Sequence, residues 1–341
     1  MLGSYRLCLA VCVALSHVGV QVIGLNPGVI AVVGFYLVSG YVMTGLLRSH
    51  YREPSRIGAF YVDRALRLLP HYLFVLFVTF VWFVATGQQT EYLRREPTIL
   101  DAVRNVVIVP MNYYMFNRAN EFALIPPSWS LGAEVQFYVV LPFLLLFTGG
   151  TVRMLALALS LVLYLFAAFG VVNSEWFGYR LLPGVLFMFL AGSLLYDAHH
   201  STSLRRRRVF VGGMLAFAGG VAILLANAGT LGLPYNRETL LGLAIGVVAL
   251  NALGRRARHP VDEALGNLSY GVFLNHFAVQ WMLFRGVVTS PVAILVYVGT
   301  SVAMAAVLYR SVERPVLNLR RHLRRTMTSN ASAMTLDAVH R

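Results

Sequence analysis

Residues 6–25 read RLCLAVCVALSHVGVQVIGL, an apolar run with one charge at its start and one further ionisable group, His17. A run of about 20 apolar residues is long enough to cross a bilayer as a helix. An ionisable side chain inside such a helix is costly, so it marks a candidate functional site. Arg6 and His17 are eleven positions apart, which places both on one helix face about 16 Å from each other. The alternative is a structural His17 that is buried against a neighbouring helix and satisfied by a backbone carbonyl.

The composition of the 341-residue chain, 58% hydrophobic and 12% charged, excludes an ordinary soluble domain. Ten apolar segments predict an all-α, polytopic membrane protein with about ten transmembrane helices, because lipid offers the backbone no hydrogen-bond partners. The segments are 7–25, 28–47, 68–86, 129–147, 153–172, 181–198, 209–227, 237–253, 269–288 and 291–311. The first one lacks a clear cleavage site, so we interpret it as an uncleaved span rather than a signal peptide. Residues 1–314 are expected to form the membrane domain, and 315–341 a basic, partly disordered cytoplasmic tail.

The charge distribution predicts the orientation of the chain. The net charge is +14, and all 28 basic residues are arginines. With both termini in the cytoplasm, 21 of the arginines lie on the cytoplasmic side and six lie outside, which satisfies the positive-inside rule. The basic tract at 205–208 is then a topology signal and a contact for lipid headgroups, and no nucleic-acid partner is expected.

Two stretches after the first span contain candidate site residues, namely FYLVSGY at 35–41 and RALRLLP at 64–70. Ser39 lies in FYLVSGY at 35–41, where small residues favour close helix packing, and no G-x-S-x-G motif supports a catalytic serine. Arg64 and Arg67 in RALRLLP are three positions apart and therefore neighbours on a helix. Two adjacent guanidiniums suit a phosphorylated ligand, and contact with lipid headgroups is the alternative.

The stretch WSLGAEVQFY at 129–138 begins with Trp129, which is typical of an interfacial anchor. Glu134 is about 7 Å deeper along the helix, where an unpaired carboxylate is costly. Its expected partner is Arg118, Arg180 or a substrate hydroxyl, and a purely structural ion pair is the alternative.

The stretch LSYGVFLNH at 268–276 contributes Tyr270 and a second intramembrane imidazole, His276, which we expect to form hydrogen bonds between helices. The histidines are scattered, and Cys8 and Cys12 share one helix, so no metal site is predicted.

These five motifs, in this order, resemble the acyltransferase-3 family of bacterial integral-membrane O-acyltransferases. The resemblance runs from Arg6 to about Pro315. It implies acyl-CoA, usually acetyl-CoA, as a donor used from the cytoplasm, an extracytoplasmic or lipid-linked glycan as acceptor, and a place in the bacterial inner membrane. It also implies essential roles for Arg6 and His17, a cytoplasmic pair in Arg64 and Arg67, and an acidic role for Glu134.

Both lines of argument lead to one expected mechanism. The arginines hold the donor's phosphates, and His17, as a neutral imidazole, takes the proton of the acceptor hydroxyl as its oxygen attacks the thioester. Glu134 orients the acceptor or the imidazole from the outer side, and a covalent acyl-imidazole is less favoured. No permanently bound cofactor is expected. Two other classes stay open: a proton-coupled transporter or glycan flippase, and a membrane scaffold or sensor.

Overall fold

In the computed structural model, which describes residues 2–257 and 259–318, the chain is all-helical apart from three isolated β-bridges. The twelve α-helices are α1 Gly3–His17, α2 Pro27–His50, α3 Ile57–Thr86, α4 Ile99–Val107, α5 Tyr114–Asn117, α6 Ser128–Pro142, α7 Gly150–Ala168, α8 Leu182–His199, α9 Leu204–Asn227, α10 Asn236–Leu253, α11 Pro260–Phe284 and α12 Pro291–Leu308. Short 3-10 turns occupy Pro54–Arg56, Val109–Tyr113 and Ala119–Glu121, and π-turns occupy Phe143–Phe147, Trp176–Arg180 and Tyr309–Glu313. The tail predicted for 315–341 lies outside the described residues from position 319 onward.

Seven helical segments among the described residues are long and apolar enough to cross a membrane. They are Pro27–His50, Pro54–Thr86, Ser128–Phe147, Gly150–Ala168, Trp176–His199, Leu204–Asn227 and Pro291–Asn318. The chain is therefore a multi-pass membrane protein in its architecture. Each of the ten predicted segments overlaps one helix, but a count of ten spans and the orientation of the termini stay predictions.

The first segment differs from its predicted bounds, because α1 ends at His17 instead of continuing to residue 25. Gly19 has a φ of +82°, a left-handed conformation that commonly terminates a helix. Residues 18–26 then form a turn closed by the Val22–Leu25 bridge. Asn26 caps the next helix through its side chain, which accepts hydrogen bonds from the amides of Gly28 and Val29. His17 is consequently the last residue of a helix of 15 residues, about 22 Å long.

Close backbone contacts determine how the central helices pack. In α2, 72% of the spanning residues are buried, whereas only 17% are buried in α9, so α2 lies at the centre of the bundle. Gly40 of α2 lies against the Phe189 carbonyl of α8, and Gly192 of α8 lies against the Leu37 carbonyl of α2. A β-carbon at either glycine would overlap that carbonyl oxygen, so the predicted packing role of the small residues around Ser39 is confirmed.

The segment between α3 and α6 contains two short helices of its own, α4 and α5, and two 3-10 turns. Thr98 and Asp101 form a capping box that starts α4. The buried Asp101 also accepts two hydrogen bonds from Arg95, at 2.6 and 2.9 Å. Burial by itself raises the pKa of Asp101, but hydrogen bonds from Arg95 and Thr98 outweigh burial and lower this pKa to about 2. This charged cluster fixes the segment that covers one end of the bundle.

Candidate functional site

Six of the nominated residues converge on one cavity of about 340 Å³, here called the arginine cavity. It lies between α1, α2, α3, α6 and α11. The six residues are Arg6, Ser39, Arg64, Arg67, Glu134 and Tyr270. Motifs that are far apart in the chain therefore surround one space, of a volume typical of small-molecule sites.

Each member of the predicted arginine pair is held by a carboxylate. Arg64 donates to Asp63 through Nε at 3.1 Å and Nη2 at 2.5 Å. Arg67 forms an ion pair with Glu313, a residue of the last π-turn. Glu313 is only 2% exposed. The pair is thus oriented by two acids, which the spacing of the arginines did not predict. A guanidinium has five N–H donors, more than one carboxylate accepts.

A buried histidine that the sequence did not single out supports the second of these ion pairs. His71 is completely buried on α3, and its Nδ1 lies 3.1 Å from Oε2 of Glu313. Tyr270 packs edge-on against His71 and donates its hydroxyl hydrogen to the Leu68 carbonyl at 3.0 Å. The ring of Tyr270 also lies 5.8 Å from the Arg67 guanidinium. Tyr270 therefore helps to position the arginine, and it makes no contact with His17.

Glu134 has different partners from those predicted. Its Oε1 accepts hydrogen bonds from Ser39 Oγ at 2.5 Å and from the Tyr138 hydroxyl. Within the part of the chain that the structure describes, no basic group lies within 4.0 Å of Glu134, and Arg6 lines the same cavity. The structural ion pair is therefore not observed.

The two arginines proposed as partners of Glu134 pair elsewhere. Arg118 binds Glu121 at 3.0 Å, and Arg180 binds Glu175 at 2.7 Å. Glu134 lines the arginine cavity and neither of the two spaces next to His17. The expected mechanism placed it on the outer side, where it would orient the acceptor or the imidazole.

His17 stands at the other end of α1, between two further spaces. One is a small chamber of about 80 Å³, here called the histidine chamber, and the other is a cleft of about 430 Å³, here called the loop cleft. Its ring stacks on that of His276 at a centroid distance of 5.3 Å and contacts Phe277 at 4.7 Å. Among the described residues none forms a hydrogen bond with His17. The carbonyl-bonded alternative is thus not observed for this histidine, and its nitrogens are available to a ligand.

His276 is the histidine whose Nδ1 is bonded to a backbone carbonyl, whereas its buried Nε2 has no hydrogen-bond partner among the described residues. It is completely buried, and its Nδ1 lies 3.1 Å from the carbonyl oxygen of Val272, one turn earlier in α11. The expected bond between helices is therefore a bond within one helix. His276 supports the His17 ring by stacking.

Arg180 belongs to the site although sequence reasoning treated it only as a possible ion-pair partner. Its guanidinium lies 4.4 Å from the ring of Trp129 and is also surrounded by the rings of Tyr114, Tyr179 and Tyr235. Trp129 is consequently part of this aromatic enclosure, and its role as an interfacial anchor stays a prediction. Both Nε and Nη2 of Arg180 contact Glu175, and the same arginine lines the histidine chamber. The chamber thus combines a proton acceptor with a fixed cation.

The three spaces follow one another along α1. Val32, Ser130 and Phe273 line both the arginine cavity and the histidine chamber, while His17 lines both the chamber and the loop cleft. A long anionic molecule in the arginine cavity can therefore direct one end toward His17, and a second molecule can reach His17 from the cleft. This arrangement suits a transfer reaction between two substrates.

The fold and the three adjoining cavities are those of a membrane-embedded protein that transfers a chemical group between two substrates. The sequence model of one family, described as an acyltransferase domain, matches residues 5–310. The chain therefore belongs to the acyltransferase-3 family, which confirms the resemblance and makes the protein an acyltransferase.

Individual relatives agree with this assignment. The chain is 34% identical over 209 residues to an uncharacterised protein of Aquifex aeolicus, a match that covers 59% of this chain and 91% of that protein. It is 23% identical over 343 residues to a provisionally named O-acetyltransferase of Staphylococcus aureus, covering 89% of this chain and 56% of the relative. It is 30% identical over 128 residues to a Bacillus subtilis protein provisionally named a peptidoglycan O-acetyltransferase, covering 35% of this chain and 20% of that one. The chain thus spans about half the length of the Staphylococcus aureus relative. No solved structure matches the chain.

Proposed function

We propose that this protein transfers an acetyl group from acetyl-CoA, bound from the cytoplasm, to a hydroxyl of a glycan on the opposite side of the bacterial inner membrane. The observation that carries the proposal is the position of His17, which borders both the chamber next to the arginine cavity and the loop cleft. The provisional name of the Bacillus subtilis relative supports a glycan acceptor. In this proposal the chain spans the membrane ten times with both termini in the cytoplasm.

The arginine cavity suits the donor. Arg6 has no carboxylate within ion-pairing distance in the described ranges, and each of Arg64 and Arg67 has five N–H donors, more than one carboxylate accepts. Planar guanidiniums bind phosphate oxygens with two parallel hydrogen bonds, which matches the phosphates of CoA. The pantetheine arm then extends toward the shared wall of the cavity and the chamber.

The histidine chamber is the smallest of the three spaces, at about 80 Å³. It has room for a small group such as acetyl next to His17 and Arg180.

The proposed reaction uses His17 as a general base. The imidazole takes the proton of the acceptor hydroxyl, the hydroxyl oxygen forms a bond to the thioester carbon, and the carbon–sulfur bond breaks. The imidazolium then returns the proton to the thiolate of CoA, so the products are the O-acetyl ester and CoA thiol. Arg180 stabilises the negative charge that develops on the carbonyl oxygen, since a cation held in place by its surroundings loses no energy to reorganisation.

The test is to incubate the purified protein in lipid with radiolabelled acetyl-CoA and soluble fragments of peptidoglycan glycan strands. Covalent label on the glycan supports the proposal. Movement of the glycan across the membrane without label identifies a transporter and refutes it. Reporter fusions at Gln88 and at the C-terminus test the orientation, and they should report opposite sides of the membrane.

A further inference from the structure

The loop cleft is lined by a buried side-chain amide, that of Gln280, one atom of which has no hydrogen-bond partner among the described residues. Gln280 of α11 is 5% exposed, and its Nε2 donates to the carbonyl of Gly286 at 3.0 Å. Its Oε1 is buried and has no hydrogen-bond partner among the described residues. A buried polar atom without a partner is costly and needs an explanation.

The orientation of this amide is fixed by the end of α11. Arg285 and Gly286 have φ values of +51° and +84°, which turns the chain back at the end of the helix. The main-chain N–H of Gly286 then donates to the main-chain carbonyl of Gln280 at 3.0 Å. The carbonyl of Gly286 can only accept a hydrogen bond, so the side-chain nitrogen of Gln280 must face it. The side-chain oxygen is left to accept a hydrogen from a donor in the cleft.

The rest of the cleft has the chemistry of a carbohydrate site. Gln88, Gln89, Thr90 and Thr289 contribute amides and hydroxyls, which both donate and accept hydrogen bonds. One acid and one base, Glu91 and Arg285, leave the lining without net charge apart from His17. Its volume of about 430 Å³ suits a small ligand or a short stretch of a polymer.

We propose that the loop cleft is the acceptor site, and that Gln280 Oε1 accepts a hydrogen bond from a sugar hydroxyl next to the one that reacts at His17. This inference rests on the proposed function and assigns the second substrate to its own set of residues. It makes Gln280 a determinant of acceptor binding with no role toward the donor.

The first experiment measures steady-state transfer of radiolabelled acetyl groups to peptidoglycan glycan-strand tetrasaccharides. Gln280→Leu keeps the side-chain size and removes the acceptor atom. Its KM for the tetrasaccharide should rise about tenfold, since a net hydrogen bond corresponds to that factor, while KM for acetyl-CoA stays constant. The matched control is Gln21→Leu, an exposed glutamine in the turn between α1 and α2 that does not line the cleft. An unchanged tetrasaccharide KM in a Gln280→Leu protein that binds CoA normally would overturn the assignment.

A second experiment does not depend on how well Gln280→Leu folds. In a background with Cys8 and Cys12 replaced by alanine, Gln89→Cys is treated with a bulky, membrane-impermeant maleimide. Labelling should abolish transfer to the tetrasaccharide and leave CoA binding intact, whereas labelled Gln21→Cys stays active. If the fully labelled Gln89→Cys protein keeps full activity, the cleft is not the acceptor site, and the proposed function still stands because the protein acetylates glycan. If the unlabelled wild-type protein transfers no acetyl group to glycan, the proposed function is refuted, and the acceptor assignment falls with it.

Discussion

Replacing His17 with alanine separates catalysis from folding, because the described residues give this imidazole no hydrogen bond to lose. Its stacking on His276 and its contact with Phe277 are ring pairs, which contribute about 0.5–1.5 kcal/mol each beyond the burial of surface. Loss of a general base typically costs 10²–10⁴-fold in rate, which is about 2.7–5.4 kcal/mol in activation free energy. The catalytic loss should therefore exceed the loss of stability.

The assay combines acetyl transfer, CoA binding and thermal unfolding in one lipid preparation. His17→Ala should show transfer reduced by 10²–10⁴-fold, CoA affinity within a factor of about two, and a melting temperature lowered by only a few degrees. Wild-type transfer should fall as the pH falls, because a protonated imidazole cannot accept a proton. The residual transfer of the variant should lack this dependence.

His276→Ala is the matched control, since it removes the other ring of the stack. His276 is completely buried and bonded to the Val272 carbonyl, so its loss should lower the melting temperature more and the rate less than the loss of His17. If His17→Ala keeps near-wild-type turnover while a folded His276→Ala is inactive, α11 carries the catalytic group and the assignment to α1 is wrong.

Three further predictions concern charges. Arg67→Gln leaves the buried Glu313 without its arginine, and Arg64→Gln does the same to the buried Asp63, so folded yield should fall in both variants, as expected for a broken buried pair worth about 3–5 kcal/mol. Adding Glu313→Gln or Asp63→Asn, respectively, should restore yield but not CoA affinity. Glu134→Gln should lower turnover at least tenfold, measured as acetyl transfer, and lower folded yield less, since glutamine keeps the size and loses the charge. The pKa of Asp101 is lowered to about 2 in the folded protein, so this carboxylate stabilises the fold at pH values above 3.8, its pKa in the unfolded chain. As the pH falls from 4 to 2, the free energy of unfolding of the wild-type protein, measured by denaturant titration, should fall by about 1 kcal/mol. Asp101→Asn should lack this loss.

Controls keep these outcomes separable. Replacing Arg207 and Arg208 by glutamine should leave CoA binding unchanged, because neither lines the arginine cavity. A CoA affinity equal to wild type in Arg64→Gln would refute the phosphate role of that arginine. A Glu134→Gln protein that fails to fold would show that the carboxylate is structural.

The apolar segments predicted where the long helices lie, because a chain in lipid must form its backbone hydrogen bonds internally. The motifs also predicted which residues gather in the arginine cavity. The sequence did not predict the bounds of α1, since Gly19 ends the helix within an apolar run. Sequence patterns within one helix identify neighbours three or four positions apart, whereas Arg67 pairs with Glu313, 246 positions later.

The aromatic enclosure of Arg180 could not be predicted either, because it joins residues that are far apart in the sequence. Its rings come from Tyr114, Trp129, Tyr179 and Tyr235, and only one of these is adjacent in sequence. Its acid, Glu175, is five positions earlier, a spacing produced by the π-turn Trp176–Arg180 rather than by a regular helix. A search for an arginine among aromatic residues near a predicted span end would have singled out Arg180 together with Tyr179.

The reciprocal glycine contacts between α2 and α8 have a mechanical consequence. Each helix has a glycine seated on a carbonyl of the other, at Gly40 on Phe189 and at Gly192 on Leu37, so neither helix can slide along its axis without separating the pair. Sliding of one helix along the other is therefore sterically opposed. Ser39 is adjacent to one of these contacts and binds Glu134, so the same contacts brace that wall of the arginine cavity. In the proposed reaction, any widening of the cavity for the donor then falls to the opposite wall, which α3 and Leu317 line.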